Sequence, residues 1–222
     1  MISLGAFMSS THRHPIFARV YPRIAHTAER GGAAEHRRTL LDGLSGRVIE
    51  VGAGHGLNFP YYTEGVTQVL AVEPEPYLRG LAEHAAPSAT VPIEVQDGIA
   101  EALPADDDQF DVAVASLVLC SVDDQAAALR EIARVLGPGG QLRFYEHVIS
   151  NHPRAARVQR ALDATFYPAI SGGCHAARDT GQAIRSAGFT VEHEQRIPFK
   201  PGALAPAIPH ILGIARGPRP GV

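Results

Sequence analysis

Val48-Ile49-Glu50-Val51-Gly52-Ala53-Gly54-His55-Gly56 decides the reading of this 222-residue chain. A short apolar run leads into a loop with glycine at every second position, the pattern of a buried strand ending in a ligand loop. Glu50 stands two residues before the first glycine, and a second acid, Glu73, closes the next apolar run, Val69-Leu70-Ala71-Val72. A strand, a glycine loop and an acid at the tip of the following strand form a nucleoside-binding device. Glycine lets the backbone approach a ligand closely, and a carboxylate accepts both hydroxyls of a ribose.

The spacing separates two classes of nucleoside. Dinucleotide folds use G-x-G-x-x-G, with helix-start amides facing a pyrophosphate. Here the third glycine, Gly56, comes one position early, and Asn58 and Pro60 disturb a helix start. Glu50 would repel a phosphate but suits a cationic ligand, so S-adenosylmethionine is the expected cofactor. In that reading Gly52, Gly54 and Gly56 form the loop under the ligand. Glu50 holds the methionine ammonium or a water bound to it, Glu73 takes the ribose, and Asn58 either assists at the amino-acid end or caps a helix.

The bulk composition narrows the class further. A chain of 222 residues suits one domain with a sizeable core. The formal net charge is -3, and no basic block interleaved with aromatics is present, which argues against a nucleic-acid partner. Two cysteines, Cys120 and Cys174, make no disulfide framework, so a reducing cytoplasm is the default location. No apolar run approaches the ~20 residues of a membrane span. Residues 1–14 read as a frayed tail, and 15–222 as the single domain.

Strand and helix candidates alternate along that domain. Strands are expected at Arg47–Val51, Gln68–Glu73, Val91–Gln96, Phe110–Ser116 and Gln141–Val148, with helices near Tyr77–His84 and from Asp123 or Asp124 to just before Gly137-Pro138-Gly139-Gly140. Leu129, Ile132, Ala133 and Leu136 form the apolar stripe of the latter helix. Such alternation implies a parallel sheet with right-handed crossovers. The regularity breaks after Ser150. A helix over Arg154–Thr165, a Pro/Gly-rich loop from Tyr167 to His175 and a helix over Arg178–Ala187 make an insertion, 150–188. Strands at Phe189–Ile197 and about His210–Arg216 close the chain. The whole is an α/β, Rossmann-like domain: seven mostly parallel strands, the last antiparallel, with helices on both faces. The insertion sits above the carboxyl ends of the strands, where ligands bind in such sheets. Residues 15–45 read as a helical segment, a lid carrying Tyr21 or a plain surface helix. Arg37, Arg38, His12 and His14 read as solvated.

Together these pieces resemble the class I S-adenosylmethionine-dependent methyltransferases. The matching residues are Glu50-x-Gly52-x-Gly54-x-Gly56, Glu73, Ala100-Glu101-x-Leu103-Pro104, Phe110-Asp111-Val112 and Arg134-Val135-Leu136-x-Pro138-Gly139-Gly140. A narrower set is similar to the methyltransferase-like thiol methyltransferases: Ser116-Leu117-Val118-Leu119-Cys120-Ser121-Val122, Glu146-His147-Val148, Gly173-Cys174-His175-x-x-Arg178-Asp179-Thr180 and Pro209-His210-Ile211-x-Gly213. The animal members carry an amphipathic membrane anchor that is not seen in residues 1–14, so a soluble bacterial relative is expected. Many relatives in the broad family place Asp where this chain has Ile99. The resemblance then implies that adenine rests on apolar surface and backbone near Gly98, Ile99 and Ala100, with Asp97 displaced, and that Pro74, Ser116 and Leu117 border the cofactor.

For the chemistry, the resemblance implies methyl transfer to a small molecule by one in-line displacement, with a thiol as the first expectation. O-, N- or C-methylation of a metabolite and non-catalytic cofactor binding are the rivals, with an NAD oxidoreductase behind them. His147, at the end of the fifth strand, reads equally as a general base or as a satisfied histidine, and His175 is the other base candidate. Cys120 reads first as a core residue, otherwise as a neighbour of the methyl acceptor. Tyr21, Cys120, Glu146 and Cys174 are the candidate substrate contacts. Cys174 beside His175 lacks metal-site spacing, so no metal is expected. Asp111 supports structure, Arg178 and Asp179 are expected to pair and cap a helix, and residues 198–209 either line the pocket or link two strands. A monomer or homodimer is expected.

Overall fold

The computed structural model describes residues 15–200 and 207–218. The expected tail at 1–14, His12 and His14 with it, and the middle of the 198–209 segment lie outside the described residues. Seven strands form one sheet: β1 Gly46–Val51, β2 Val66–Val72, β3 Ile93–Gln96, β4 Phe110–Ser116, β5 Leu136–His147, β6 Thr190–Phe199 and β7 Ile208–Arg216, in the order β3-β2-β1-β4-β5-β7-β6. β7 runs antiparallel to both neighbours, and the other pairings are parallel. The strand order reverses between β1 and β4, which opens a crevice beyond their carboxyl ends.

The apolar runs read as two-faced strands because both faces are covered. Ile49, Val51, Ala113, Ala115, Leu142 and Phe144 join one core with Leu129 and Ile132 of α4 (Gln125–Val135) and Ile184 of α7 (Thr180–Ser186). Val48, Val69, Ala71, Val112, Val114 and Tyr145 join the other, with Leu40 and Leu41 of α2 (Ala34–Leu41) and Ala82 of α3 (Pro76–Ala85). Successive residues of one strand thus feed opposite layers, as the pleat demands. Leu129 and Ile132 are fully buried, and truncating either to Ala would cost about 2–5 kcal/mol.

Local chemistry sets where elements start. Asp124 accepts from the amides of Ala126 and Ala127 and caps α4. Asp179 caps α7 through Gln182 N, while Glu75 accepts from Leu78 N ahead of Pro76 at the start of α3. Asp111 accepts from Arg47 N at 2.7 Å and ties β4 to β1, a structural role. Four sequence expectations change. β5 begins at Leu136 rather than Gln141, so the Gly137-Pro138-Gly139-Gly140 stretch belongs to the strand and is bulged against β4. The Tyr167–His175 loop contains a helical turn, α6 Tyr167–Ile170, after α5 Pro153–Asp163. Arg178 does not pair with Asp179; its Nη1 donates to the Leu119 carbonyl at 2.9 Å, tying the insertion to the loop after β4. Arg37 is not solvated: it is 5% exposed.

Candidate functional site

β1 ends in the glycine loop. Gly52 has φ +66°, and a Cβ there would collide with the Val118 side chain, so only glycine lets the two loops meet. The Gly52 and Ala53 amides both donate to the Val72 carbonyl and hold the loop against β2. Gly54, at φ +59°, faces the ring of Tyr21 on α1 (Pro15–Ala28). No regular helix follows at once; a single 3-10 turn, Phe59–Tyr61, contains Pro60.

The two acids lie where the sequence puts them, at the ends of adjacent strands, but neither is free. Glu50 is 2% exposed; its Oε1 accepts from Asn58 Nδ2 at 2.9 Å and its Oε2 from the Tyr62 hydroxyl at 2.7 Å. Burial pushes its carboxyl up to about 7, against those two donors and the nearby Arg37. Glu73 Oε2 accepts from Gly54 N at 2.7 Å and its Oε1 from Glu75 N at 3.0 Å. Burial raises the Glu73 carboxyl too, opposed by those two amides. Each oxygen keeps a second lone pair.

Arg37 ties this corner together. Its Nη1 donates to Asn58 Oδ1 at 2.8 Å and Ser116 Oγ at 3.0 Å, and its Nε donates to Glu29 at 2.9 Å. Gly32, at φ +112°, breaks the helix between α1 and α2 through a π turn, Glu29–Ala33, and turns Glu29 towards Arg37. Sequence reasoning missed this residue. The available signal was register: Arg37, Leu40 and Leu41 share one helical stripe, and the two leucines are buried. Tyr62, the second anchor of Glu50, had no sequence signal beyond its apolar setting.

His55 points between α1 and the glycine loop, with Tyr21 edge-on at 5.6 Å and His26 at 6.3 Å. Its ring nitrogens are both buried without a hydrogen-bond partner among the described residues. Burial lowers its pKa to about 4, so it is neutral at pH 7. Two orphaned nitrogens beside a glycine loop and two strand-tip acids fit a polar ligand such as the adenosyl and amino-acid ends of S-adenosylmethionine. Gly98 to Ala100 follow β3 near Val72: a Cβ on Gly98 would press within 2.9 Å of Val72 and Pro104, and Ile99 bridges Ala102. Asp97 is held outside by Arg79 at 2.9 Å. Pro74 offers its carbonyl to Arg79.

At the end of β4 the backbone is strained. Leu117 takes φ +61° while its amide donates to the Tyr145 carbonyl at 2.7 Å. Glu146, fully buried at the end of β5, accepts from the amides of Val118, Leu119 and Cys120 and so shapes this loop from beneath. Its carboxyl is turned into the loop rather than towards an open pocket, and burial pushes it well above the usual carboxylate range. His147 is 8% exposed; its Nδ1 lies 3.5 Å from Cys174 Sγ and its ring packs at 5.5 Å on His210. Burial lowers His147, so it is neutral at pH 7. Cys120 is 2% exposed with its sulfur 3.7 Å from that of Cys174. His175 donates its amide to the Cys120 carbonyl at 2.9 Å, and its ring stands 3.9 Å from Asp163.

The fold therefore brings two groups together at one sheet edge: Glu50, Asn58, Glu73 and Tyr21 around the glycine loop, and Cys120, Glu146, His147 and Cys174 around the loop after β4. Ser116, bonded to Arg37, stands between them. Hollows of about 500 Å³ beside Glu83 and Val95, and of about 220 Å³ beside Gly43 and Gly140, lie away from this edge. Among the described residues no helix is long and apolar enough to cross a membrane, and no group of three ligating side chains gathers for a metal.

Comparison with known proteins agrees with this architecture. A methyltransferase domain matches residues 49–144. Thiol S-methyltransferase TMT1B of Mus musculus is 38% identical over 182 residues, which cover 79% of this chain and 73% of that protein. Phosphatidylethanolamine N-methyltransferase of Cereibacter sphaeroides is 26% identical, covering 91% and 96% of the two chains. The solved structure of a SAM-dependent methyltransferase from Thermotoga maritima superposes with a TM-score of 0.67 at 24% identity, covering 93% of this chain and 99% of that one.

Proposed function

Because the chain belongs to the class I S-adenosylmethionine-dependent methyltransferases, with S-adenosylmethionine as cofactor, we propose that it S-methylates a small-molecule thiol. The cofactor supplies an electrophilic methyl on a sulfonium sulfur. Glu73 would accept the ribose hydroxyls with its remaining lone pairs, and Asn58, braced by Arg37 and Glu50, would face the amino-acid end. The Gly98–Ala100 backbone would border adenine. The α1–α2 segment, through Tyr21, would act as a lid, and the 150–188 insertion as a cover over the acceptor.

The observation that carries the acceptor reading is the setting of His147. It is neutral by burial, sits at the tip of β5, and already has a sulfur, Cys174 Sγ, 3.5 Å from Nδ1. A thiol near pKa 8.5 is only a few per cent ionised at pH 7, so a neutral histidine in reach of sulfur raises the reactive fraction. Glu146 supports this indirectly, fixing the loop that carries Cys120. The thiol methyltransferase likeness points the same way. The protein is then suited to a reducing cytoplasm, in keeping with its two free cysteines.

Methylation of a nitrogen is the second reading, favoured by the N-methyltransferase relative matched over 96% of its length. An acceptor panel with isotope-labelled cofactor and product detection by mass separates the two. Alkyl thiols are expected to be methylated well ahead of phenols and amines; preference for an amine overturns the thiol reading.

A further inference from the structure

We propose that Cys174 and Cys120 form a thiol–disulfide exchange pair that opens small alkyl disulfides, with Cys174 attacking and Cys120 resolving. The geometry assigns the two roles. Cys174 is half-buried on the insertion, while Cys120 is buried on the loop after β4. Their sulfurs are 3.7 Å apart. The segments that carry them are already docked, through His175 N to the Cys120 carbonyl at 2.9 Å and Arg178 Nη1 to the Leu119 carbonyl at 2.9 Å. Closing a bond of about 2.05 Å therefore needs local side-chain movement, not refolding. Gly172 and Gly173, both at positive φ, precede Cys174 and give its loop room to adjust. His147 Nδ1 lies 3.5 Å from the Cys174 sulfur, and the Ser121 hydroxyl 3.6 Å from that of Cys120.

The charge balance follows the same division. Contact with Cys120 lowers the Cys174 thiol, against the burial that raises it, whereas Cys120 is raised well above the ordinary range by that contact and by burial. Ionisation is thus favoured at the more accessible sulfur over the buried one, as the division of roles requires. The Cys174 thiolate attacks one sulfur of R–S–S–R; that bond breaks, one R–S⁻ leaves and is protonated, and a Cys174–S–S–R mixed disulfide remains. Cys120 then gives up its proton and attacks the Cys174 sulfur, expelling the second R–S⁻. Two cysteine thiols are oxidised to one disulfide and the small disulfide is reduced to two thiols. An excess of a small-molecule thiol resets the pair.

Choosing an alkyl disulfide rests on the thiol reading above, but the exchange needs no methyl donor, so its failure and that of the methylation assay are distinguishable. Reduced full-length protein is mixed with bis(2-hydroxyethyl) disulfide at pH 7 without cofactor, quenched with acid, and analysed by intact mass and peptide mapping. Two mercaptoethanols released per chain and one cross-link between the Cys120 and Cys174 peptides are expected. Cys120→Ser should halt at one mercaptoethanol held on Cys174, and Cys174→Ser should stay unmodified while wild type completes. Wild type that remains reduced, or that collects mixed disulfides without the cross-link, overturns the proposal. The wild-type stoichiometry decides even if a variant fails to fold.

Discussion

Arg37 Nη1 donates to Asn58 Oδ1 at 2.8 Å, and through that bond a helix at the start of the domain holds the residue that in turn holds Glu50. The guanidinium side chain is 6% exposed, so its charge depends on Glu29, Asn58 and Ser116 for compensation. Replacing Arg37 by Met leaves those partners without their donor and Glu29 unpaired. The expected loss is about 3 kcal/mol of unfolding free energy, read from urea denaturation. Arg37→Lys should recover only part of it, because an ammonium lacks the planar fork that serves three acceptors. A loss below about 1 kcal/mol for Arg37→Met would mean the network contributes little.

Glu50 is expected to make cofactor binding depend on pH. Burial raises its carboxyl to about 7 in the free protein. At pH 6 it is mostly protonated, and a cationic ligand arriving beside it favours the ionised form. Binding should then release a proton between about pH 5.5 and 7, and affinity should rise over that window. Calorimetry in two buffers of different ionisation enthalpy measures the release. Glu50→Gln should abolish it. Equal release by wild type and Glu50→Gln would separate this carboxyl from the ligand.

The strands and the placing of the two acids at strand ends were legible because they obey local rules: apolar runs of strand length, glycines where φ must be positive, caps at Asp124 and Asp179. What escaped was side-chain placement set by tertiary packing. Arg37 carries a charge that composition assigns to solvent, and only its register with Leu40 and Leu41 marks it as inward. Glu146 was legible as an acid at the end of a strand, but three amides from a loop 26 to 28 residues away turn its carboxyl inward, and no local pattern encodes that. The approach of Cys120 to Cys174 is likewise a product of how the insertion folds back.

His147 as base predicts a pH-selective defect. A thiol of pKa about 8.5 is roughly 3% ionised at pH 7 and about three-quarters ionised at pH 9. Proton removal can therefore gain at most about 30-fold at pH 7 and under about twofold at pH 9. His147→Ala should lose up to that factor in kcat/KM at pH 7 and little at pH 9. Equal losses at both pH values would assign His147 to packing against His210 instead.

His210 sets an acid limit on stability. Burial, the largest influence, lowers its pKa from 6.5 to about 4, with the neighbouring His147 and His36 adding to the shift and the Ile208 carbonyl opposing it. The folded protein keeps the ring neutral, while the unfolded chain binds a proton below pH 6.5. Its stabilising contribution is therefore complete above pH 6.5 and is lost as pH falls towards 4. At pH 5 the loss comes to about 2 kcal/mol. Glu50 and Glu146, whose carboxyls are raised, act in the opposite sense over the same range, so total stability alone would mislead. The difference between wild type and His210→Asn removes them, since both proteins carry them. Asn offers an amide N–H in place of the ring Nδ1, which lies 2.9 Å from the Ile208 carbonyl. The unfolding free energy of wild type relative to His210→Asn should thus fall by about 2 kcal/mol between pH 7.5 and pH 5. A difference that stays flat over that span would mean the ring is protonated in the folded state and its burial is relieved by local opening.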